Sequence, residues 1–223
     1  MRKINTVLGR IDSDDLGLTL PHEHIIAGYS GWACDPLAKI FDPKKAAAQS
    51  VKVLQPIQAL GVRTIVDATP PDLSRNVEVM KAVSEELQVH IVCSTGRYSE
   101  EEGQWTYLKR RASVKINSIQ TELYEGFMQE ITNGIGSSGV QPGVIKVATG
   151  FGRIAPCEEA SFRAAAQASR ETGLPIMTHT EDGTMGPQQA DLLLAEGVSP
   201  EKIMIGHMCG SSSIAYHLEV LQR

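Results

Sequence analysis

The sequence has little that would suit it to a membrane, a nucleic acid or an oxidising compartment. It contains 21 basic and 26 acidic side chains among 223 residues, and a net charge of −5 gives no support for a nucleic-acid surface. No apolar run approaches the length of a membrane span, and the N-terminal segment lacks the apolar stretch of a signal peptide. The four cysteines show no Cys-x-x-Cys spacing, which favours reduced thiols. We therefore expect a cytoplasmic protein that binds neither nucleic acid nor membrane.

Apolar, β-rich runs alternate with helical patterns along the chain, after an N-terminal hairpin expected from Thr6 to Leu16. The strands are predicted at 17–26, 63–69, 90–95, 144–149, 175–179 and 203–207. The helices are predicted at 43–60, 74–87, 119–131, 158–171, 187–196 and 212–221. Short buried strands that alternate with helices are typical of parallel βα units.

Capping residues and prolines locate several boundaries. Asp42 is the expected N-cap of the first helix, with Pro43 at its first position, and Ser74 is the expected N-cap of the second. Pro56 predicts a kink or a break. Residues 96–114 form the longest segment without a clear pattern and are predicted to be an irregular loop that contributes to a site.

Six βα units predict an α/β fold, a TIM-type (β/α)8 barrel in which only about six units are present. Because successive strands start about 37 residues apart, two more units would need roughly 60–75 residues, which gives the length of an ordinary barrel. We expect residues 1–223 to form one barrel domain that lacks the last two units. A doubly wound open sheet is the alternative, although no Gly-x-Gly-x-x-Gly motif follows the first strand.

Four histidines and a lysine lie near the C-terminal ends of predicted strands, which form the catalytic face of such a barrel. They are His22, His24, Lys146, His179 and His207. A strand sends both rings of a His-x-His pair to the same face, and neutral imidazole suits zinc and other divalent transition metals. Two satisfied core histidines would explain the pair taken alone. The full set indicates a metal-dependent hydrolase.

Two further histidines serve as internal controls. His90 opens the third strand at the opposite end of the barrel, and His217 lies in the last helix. We expect both to be structural or exposed.

Lys146 lies in the middle of the apolar run Val-Ile-Lys-Val-Ala, where burial of an ammonium is costly. A desolvated neutral amine can react with carbon dioxide and form a carbamate, whose carboxylate could bridge two cations. Pairing with a buried acid such as Asp67, at the end of the second strand, is the alternative. Spacing alone does not separate the two interpretations.

The segments that carry these residues closely resemble the phosphotriesterase-like branch of the amidohydrolase superfamily. The resemblance rests on the ordered motifs LTLPHEHI, IKVATG, THT and IGHMCG, and it extends through TVLGRI, VDAT, STGRY and GLPIMTHTEDG. It covers essentially the whole chain. The ordered combination is highly specific, whereas a His-x-His pair by itself would be weak.

The resemblance implies a binuclear metal centre, with zinc expected, in a distorted (β/α)8 barrel. It implies that His22 and His24 bind the more buried metal and that His179 and His207 bind the more exposed one. Lys146 matches the bridging carboxylated lysine, N6-carboxylysine. A hydroxide that bridges two divalent cations is a strong nucleophile at neutral pH.

Tyr98 lies where family members that act on lactones carry a tyrosine beside the metals. There it could position the substrate carbonyl or donate a hydrogen bond to the departing oxygen; an ordinary loop aromatic is the alternative. Arg75 and Asp72, after the second strand, are weaker candidates for lining the pocket.

The family also places an aspartate at the end of strand eight, which ligates the buried metal and shuttles a proton. We expect this chain to lack it. We predict a hydrolase of an ester-type small molecule, with a lactone or carboxylic ester favoured and a phosphotriester as a side activity. The alternatives are a truncated, non-catalytic metal-binding or interaction protein, and a different amidohydrolase chemistry such as amide hydrolysis or deamination. Relatives suggest a homodimer by analogy only.

Overall fold

The computed structural model describes residues 2–223, which contain eight strands and seven α-helices. The strands are β1 (Lys3–Thr6), β2 (Gly9–Asp12), β3 (Leu18–Glu23), β4 (Val62–Asp67), β5 (His90–Gly96), β6 (Val144–Thr149), β7 (Ile176–Thr180) and β8 (Ile203–Met204). The helices are α1 (Pro43–Ala59), α2 (Val77–Leu87), α3 (Trp105–Lys115), α4 (Ile119–Asn133), α5 (Pro156–Thr172), α6 (Gly186–Ala195) and α7 (Ile214–Leu221).

These elements fall into two units. The first runs up to Thr95 and includes Gln129–Gly143, and the second consists of Gly96–Met128 and Val144–Arg223. In the first unit, β1 and β2 form an antiparallel hairpin, while β3, β4 and β5 are parallel and lie in chain order.

The core of the first unit forms where α1 and α2 pack against each other and against its strands. Its most buried side chains come from β4, α2 and β5 and include Ile65, Met80, Val83 and Ile91. Burial of such apolar side chains is the main favourable contribution to folding.

The second unit repeats the pattern with β6, β7 and β8, again parallel and in chain order. Helix α5 packs on β6, β7 and α6, and five of its residues are fully buried: Phe162, Ala164, Ala165, Ala166 and Ala168. Small side chains let this helix lie close to the strands, and α6 and α7 follow along the same chain. Within each unit the order lacks the reversal that a doubly wound sheet requires.

The structure confirms the parallel βα prediction and corrects several boundaries. Asp42 caps α1 as expected, since its carboxylate accepts the N–H groups of Lys44 and Lys45. The hairpin lies earlier than predicted, at residues 3–12. Helix α1 continues through Pro56 without a break, and the alternative expectation of a kink stays a prediction.

Two local predictions were wrong. The N-cap of α2 is Asn76, whose side chain accepts the N–H of Val79, whereas Ser74 lies in a left-handed turn before it. The segment predicted to be irregular contains α3, because Trp105 and Leu108 find buried positions. Tertiary packing of an amphipathic face can stabilise a helix such as α3 that the local sequence pattern does not predict.

The structural findings on cysteines and membrane segments are brief. All four cysteines are free thiols, as predicted. None of the helices within residues 2–223 combines the length and hydrophobicity that a membrane span needs.

Candidate metal centre

The His-x-His pair lies at the C-terminal end of β3 in the first unit. His22 is within the strand and His24 follows its last residue. Their ring centroids are 5.8 Å apart, as expected when a strand sends alternate residues to one side. The Nδ1 atom of His24 lies 2.8 Å from the hydroxyl of Thr69, just after β4. This hydrogen bond orients the ring of His24.

Asp67 at the end of β4 holds the backbone next to His24. Its fully buried carboxylate accepts the N–H of Ile25 at 2.7 Å and the N–H of Thr69 at 2.8 Å. Burial raises the pKa of Asp67 to about 6, against the opposing effect of these hydrogen bonds. The carboxylate therefore ties together the backbone beside His24 and the residue that orients its ring.

Lys146 occupies the middle of β6 in the second unit and is 0% exposed, as predicted. Its Nζ donates to the carbonyl of Thr178 at 3.3 Å. The neighbouring backbone comes so close that a Cβ on Gly96 would lie 1.9 Å from the Lys146 carbonyl oxygen. Only glycine fits there, and it also adopts a φ of +130°.

The other two predicted ligands lie side by side in the second unit, with ring centroids 4.5 Å apart. His179 is in β7, while His207 lies beyond the two-residue strand β8 and not at its end as predicted. His207 adopts a left-handed conformation with φ 60°, and such strain in a non-glycine residue is concentrated at functional sites.

Burial is the main cause that lowers the pKa of His179, to about 4, and burial also lowers the pKa of His207. Both rings are therefore neutral at pH 7. Neutral imidazole is the form that binds a metal.

Two side chains meet the Nε2 atom of His179. The Glu181 carboxylate is 2.9 Å away and the Tyr98 hydroxyl is 3.3 Å away. The Tyr98 ring also packs edge-on against the His179 ring, with centroids 5.0 Å apart. Tyr98 is thus a buried neighbour of a predicted ligand and not an exposed loop aromatic.

The loop that carries Tyr98 is held by buried hydrogen bonds. The indole N–H of Trp105 donates to the carbonyl of Ser99 at 2.8 Å. The buried carboxylate of Glu158 accepts the N–H groups of Glu100, Gly150 and Ala155 at 2.9, 3.1 and 2.8 Å. Burial raises the pKa of Glu158, while these three bonds lower it. The loop is therefore tied to the start of α5.

The weaker candidates take other places. Arg75 forms a two-point ion pair with Glu130 and donates to the carbonyl of Ser94, a structural arrangement, while Asp72 is buried in the turn after β4. His90 opens β5, and His217 in α7 lies 2.9 Å from the carbonyl of Met208. Both control histidines are in the predicted structural positions.

The grooves on the two units differ in their relation to the predicted ligands. A groove of about 310 Å³ beside α1 is lined by His24, Ile25 and apolar residues of that helix. A groove of about 450 Å³ lies between α6, β8 and α7 and contains none of the five predicted ligands. The second groove is therefore not the place for the predicted chemistry.

Within residues 2–223, no three His, Cys, Asp or Glu side chains come together in a group that can hold a metal ion. The predicted donors occur as one histidine pair in each unit, with the buried Lys146 in the second. Imidazole nitrogen is a common ligand of divalent transition metals, and the predicted set contains four histidines besides the buried amine of Lys146. The residue types present are therefore those of a metal centre.

Comparison with known proteins decides the family. The phosphotriesterase family profile matches residues 2–223. The chain belongs to the phosphotriesterase family.

Several relatives and solved structures define its place in the phosphotriesterase family. A phosphotriesterase homology protein of Mycobacterium tuberculosis is 35% identical over 99% of this chain and 68% of its own length. An organophosphorus hydrolase from Deinococcus radiodurans is 46% identical, with a TM-score of 0.93, over 99% of this chain and 66% of that chain. A phospho-furanose lactonase of Mycoplasmopsis agalactiae is 28% identical over 98% of this chain and 63% of its own length.

The resemblance found in the sequence is thereby confirmed, and so is the fold class. The phosphotriesterase family has the TIM-type (β/α)8 fold, of which this chain supplies six βα units. The chain spans about two thirds of the length of the relatives it matches.

Sequence reasoning missed the residues that support the predicted ligands. Thr69 and Glu181 contact His24 and His179, and Glu158 organises the loop of Tyr98. Glu181 had an available signal, because it is an acidic residue only two positions after the predicted ligand His179. Glu158 had a local signal for its bond to Ala155, as a glutamate at the third position of a helix that begins with proline, but none for its bond to Glu100, 58 residues away.

Proposed function

We propose that this protein is a metal-dependent hydrolase that cleaves an ester-type bond in a small molecule, with a lactone or carboxylic ester as the natural substrate. The observation that carries the proposal is a fully buried lysine, Lys146, on the strand next to the one that holds His179. Family membership supports it, because the phosphotriesterase family is metal-dependent.

The residues that would hold the metals are the two histidine pairs and Lys146. Bound divalent cations, with zinc proposed, would polarise the carbonyl or phosphoryl oxygen and acidify water. His22 and His24 would bind the more buried ion, and His179 and His207 the more exposed one. A neutral imidazole ring supplies a nitrogen lone pair to a metal without proton loss.

Lys146 would serve as a carbamate, N6-carboxylysine. Its neutral amine forms a new N–C bond to carbon dioxide and releases one proton, which leaves a carboxylate on the side chain. Complete burial favours the neutral amine that this step needs. The product supplies the anionic oxygen donors that the histidines lack.

Tyr98 would orient the substrate. Its ring lies against His179, and its loop is held by Trp105 and Glu158. A rigid hydroxyl beside a ligand can donate a hydrogen bond to the substrate carbonyl or to the departing oxygen, where charge develops. Such a donor contributes most when water is excluded, and Tyr98 is buried.

The relatives' names support the substrate class. A lactonase and an organophosphorus hydrolase are both similar to this chain, and lactones and phosphotriesters share an electrophilic centre that a hydroxide can attack. We place lactones and carboxylic esters first and phosphotriesters as a side activity. A single barrel domain lacking two βα units, a cytoplasmic location and a homodimer stay predictions.

The test is a hydrolysis assay with the purified 223-residue chain on a panel of lactones, carboxylic esters and phosphotriesters, before and after chelation. Hydrolysis that chelation abolishes and zinc restores supports the proposal. Binding of zinc without turnover of any substrate favours the non-catalytic metal-binding alternative. Turnover of an N-acyl amino acid or a nucleobase, with inert lactones, favours the amide-hydrolysis or deamination alternative.

A further inference from the structure

We infer that Glu181 is a positioning residue that holds the His179 ring with its Nδ1 lone pair open to a metal ion. The inference rests on the proposed function and adds a residue that acts through a ligand and does not itself bind the metal. The contact that carries it joins Oε2 of Glu181 to Nε2 of His179 over 2.9 Å.

The proton on His179 follows from the chemistry of this contact. A carboxylate can only accept a hydrogen bond, so Nε2 must carry the hydrogen. Neutral imidazole has one ring proton, and Nδ1 is then left with its lone pair. Among the two ring nitrogens, Nδ1 is the one that can bind a metal while the Glu181 contact is kept.

The same contact affects Tyr98. Its hydroxyl oxygen lies 3.3 Å from the same Nε2. Because Nε2 already carries a hydrogen, the phenolic proton of Tyr98 is not donated to His179. In this contact the Tyr98 hydroxyl therefore acts as an acceptor and not as a donor.

The backbone of His179 is fixed independently of its ring. The side-chain amide of Gln189 donates to the carbonyl of His179 at 2.8 Å and to the hydroxyl of Thr149 at 2.7 Å. In the sheet, His179 lies beside Ala148 of β6. With the backbone held, the rotations of the side chain place the ring, and the Glu181 contact restrains them.

Glu181 is itself held by a rigid turn. Its carbonyl accepts both the N–H and the hydroxyl of Thr184, at 2.9 and 2.8 Å. Gly183, two residues on, lies so close to the chain after His207 that a Cβ would meet the N atom of Ser211 at 2.5 Å. The turn that presents Glu181 is thus packed on the segment that follows the second ligand of the pair.

Carboxylates that accept the second ring N–H of a metal-binding histidine orient the ring and raise its basicity, and their loss weakens metal binding about 10- to 100-fold. Glu181 has the geometry for this role. Its side chain is 42% exposed, whereas that of His179 is 13% exposed, so the carboxylate approaches the ring from the solvent side.

The first experiment measures the zinc affinity of the full chain by competition with a chromophoric chelator. Glu181→Ala is expected to weaken zinc binding about 10- to 100-fold, and Glu181→Gln, whose amide oxygen still accepts the Nε2 hydrogen, should recover part of the loss. Asp182→Asn is the matched control, because it removes the same charge one residue along from an exposed side chain. A loss below fivefold in Glu181→Ala, or an equal loss in the control, overturns the inference.

The second experiment needs no metal. Nitrogen NMR of the ¹⁵N-histidine-labelled, zinc-free protein at pH 7.5 reports the tautomer of each ring, with His179 assigned from a His179→Asn sample. We expect the Nε2–H form in the wild type and a mixture of tautomers in Glu181→Ala. A predominantly Nδ1–H ring in the wild type overturns the inference. If the wild-type chain binds no zinc, the proposed function fails, while this measurement still decides the role of Glu181.

Discussion

Arg75 and Glu130 form a two-point ion pair in the first unit, with N–O distances of 2.7 and 2.8 Å between residues 55 positions apart in the sequence. The same guanidinium donates to the carbonyl of Ser94 at the end of β5. Arg75 thus joins the turn after β4, a strand and the end of α4. A residue suggested as a pocket-lining group has a structural role.

Removal of this arginine should destabilise the first unit strongly. Arg75→Met leaves the Glu130 carboxylate without its partner in a poorly solvated place, and we expect the free energy of unfolding to fall by about 3 kcal/mol. Urea denaturation followed by circular dichroism measures the change. Lys3→Met is the control, because it breaks an exposed ion pair with Asp12 and should cost under ~1 kcal/mol. Equal effects of the two changes would contradict the structural role.

The Glu158 carboxylate offers a prediction with an adjacent control. Glu158→Gln turns one accepting oxygen into an amide donor, which leaves at least one of three backbone N–H groups unpaired. We expect a loss of about 1–3 kcal/mol in the free energy of unfolding. Glu159→Gln, on the half-exposed neighbour, should change it by less than ~0.5 kcal/mol. An unchanged free energy of unfolding in Glu158→Gln would show that the loop of Tyr98 is held by other contacts.

Ionisation of Asp67 should make the protein less stable as the pH rises. Its pKa is about 6 in the folded protein and 3.8 ordinarily, so between these values the folded state holds a proton that the unfolded state has released. Raising the pH through this window therefore lowers the free energy of unfolding, by up to ~3 kcal/mol. Urea denaturation from pH 4 to 7 measures this change. Over that range the free energy of unfolding of the wild type should fall, relative to that of Asp67→Asn, by up to ~3 kcal/mol. A pH-independent difference would refute the shift.

Loss of Lys146 should abolish most metal binding. Lys146→Ala removes the amine that the carbamate requires, so we expect the zinc content to fall at least tenfold, with partial recovery in millimolar short-chain carboxylic acid, which replaces the missing carboxylate. Elemental analysis after dialysis measures it. Lys44→Ala, at an exposed position in α1, should bind zinc as the wild type does. Full occupancy in Lys146→Ala would rule out the bridge.

Tyr98 should affect turnover and not metal content. Tyr98→Phe keeps the ring against His179 and removes only the hydroxyl, so kcat on a lactone should fall about 100- to 1,000-fold, with zinc content unchanged. Tyr107→Phe is the control, since Tyr107 is 72% exposed. An unaltered kcat in Tyr98→Phe would leave Tyr98 as a packing residue.

Local sequence signals determined much of the fold and the identity of the candidate ligands. Strand β6 has the predicted bounds, and α1 begins after the predicted N-cap. Both depend on interactions within a few residues, namely an apolar run with a turn on each side and a capping carboxylate with a proline. The ligand set could likewise be read because each histidine lies at the end of a predicted strand.

Only the tertiary structure decided which side chains support those ligands. Arg75 pairs with Glu130, Glu158 with Glu100 and Tyr98 with His179 across 55, 58 and 81 positions of the sequence, and no local pattern encodes such distances. Helix α3 and the N-cap at Asn76 also depended on packing. Several local backbone conformations are close in free energy, and burial of side chains selects one of them. The sequence thus determined the chemistry at each strand end, whereas burial and long-range hydrogen bonds determined how each group is held.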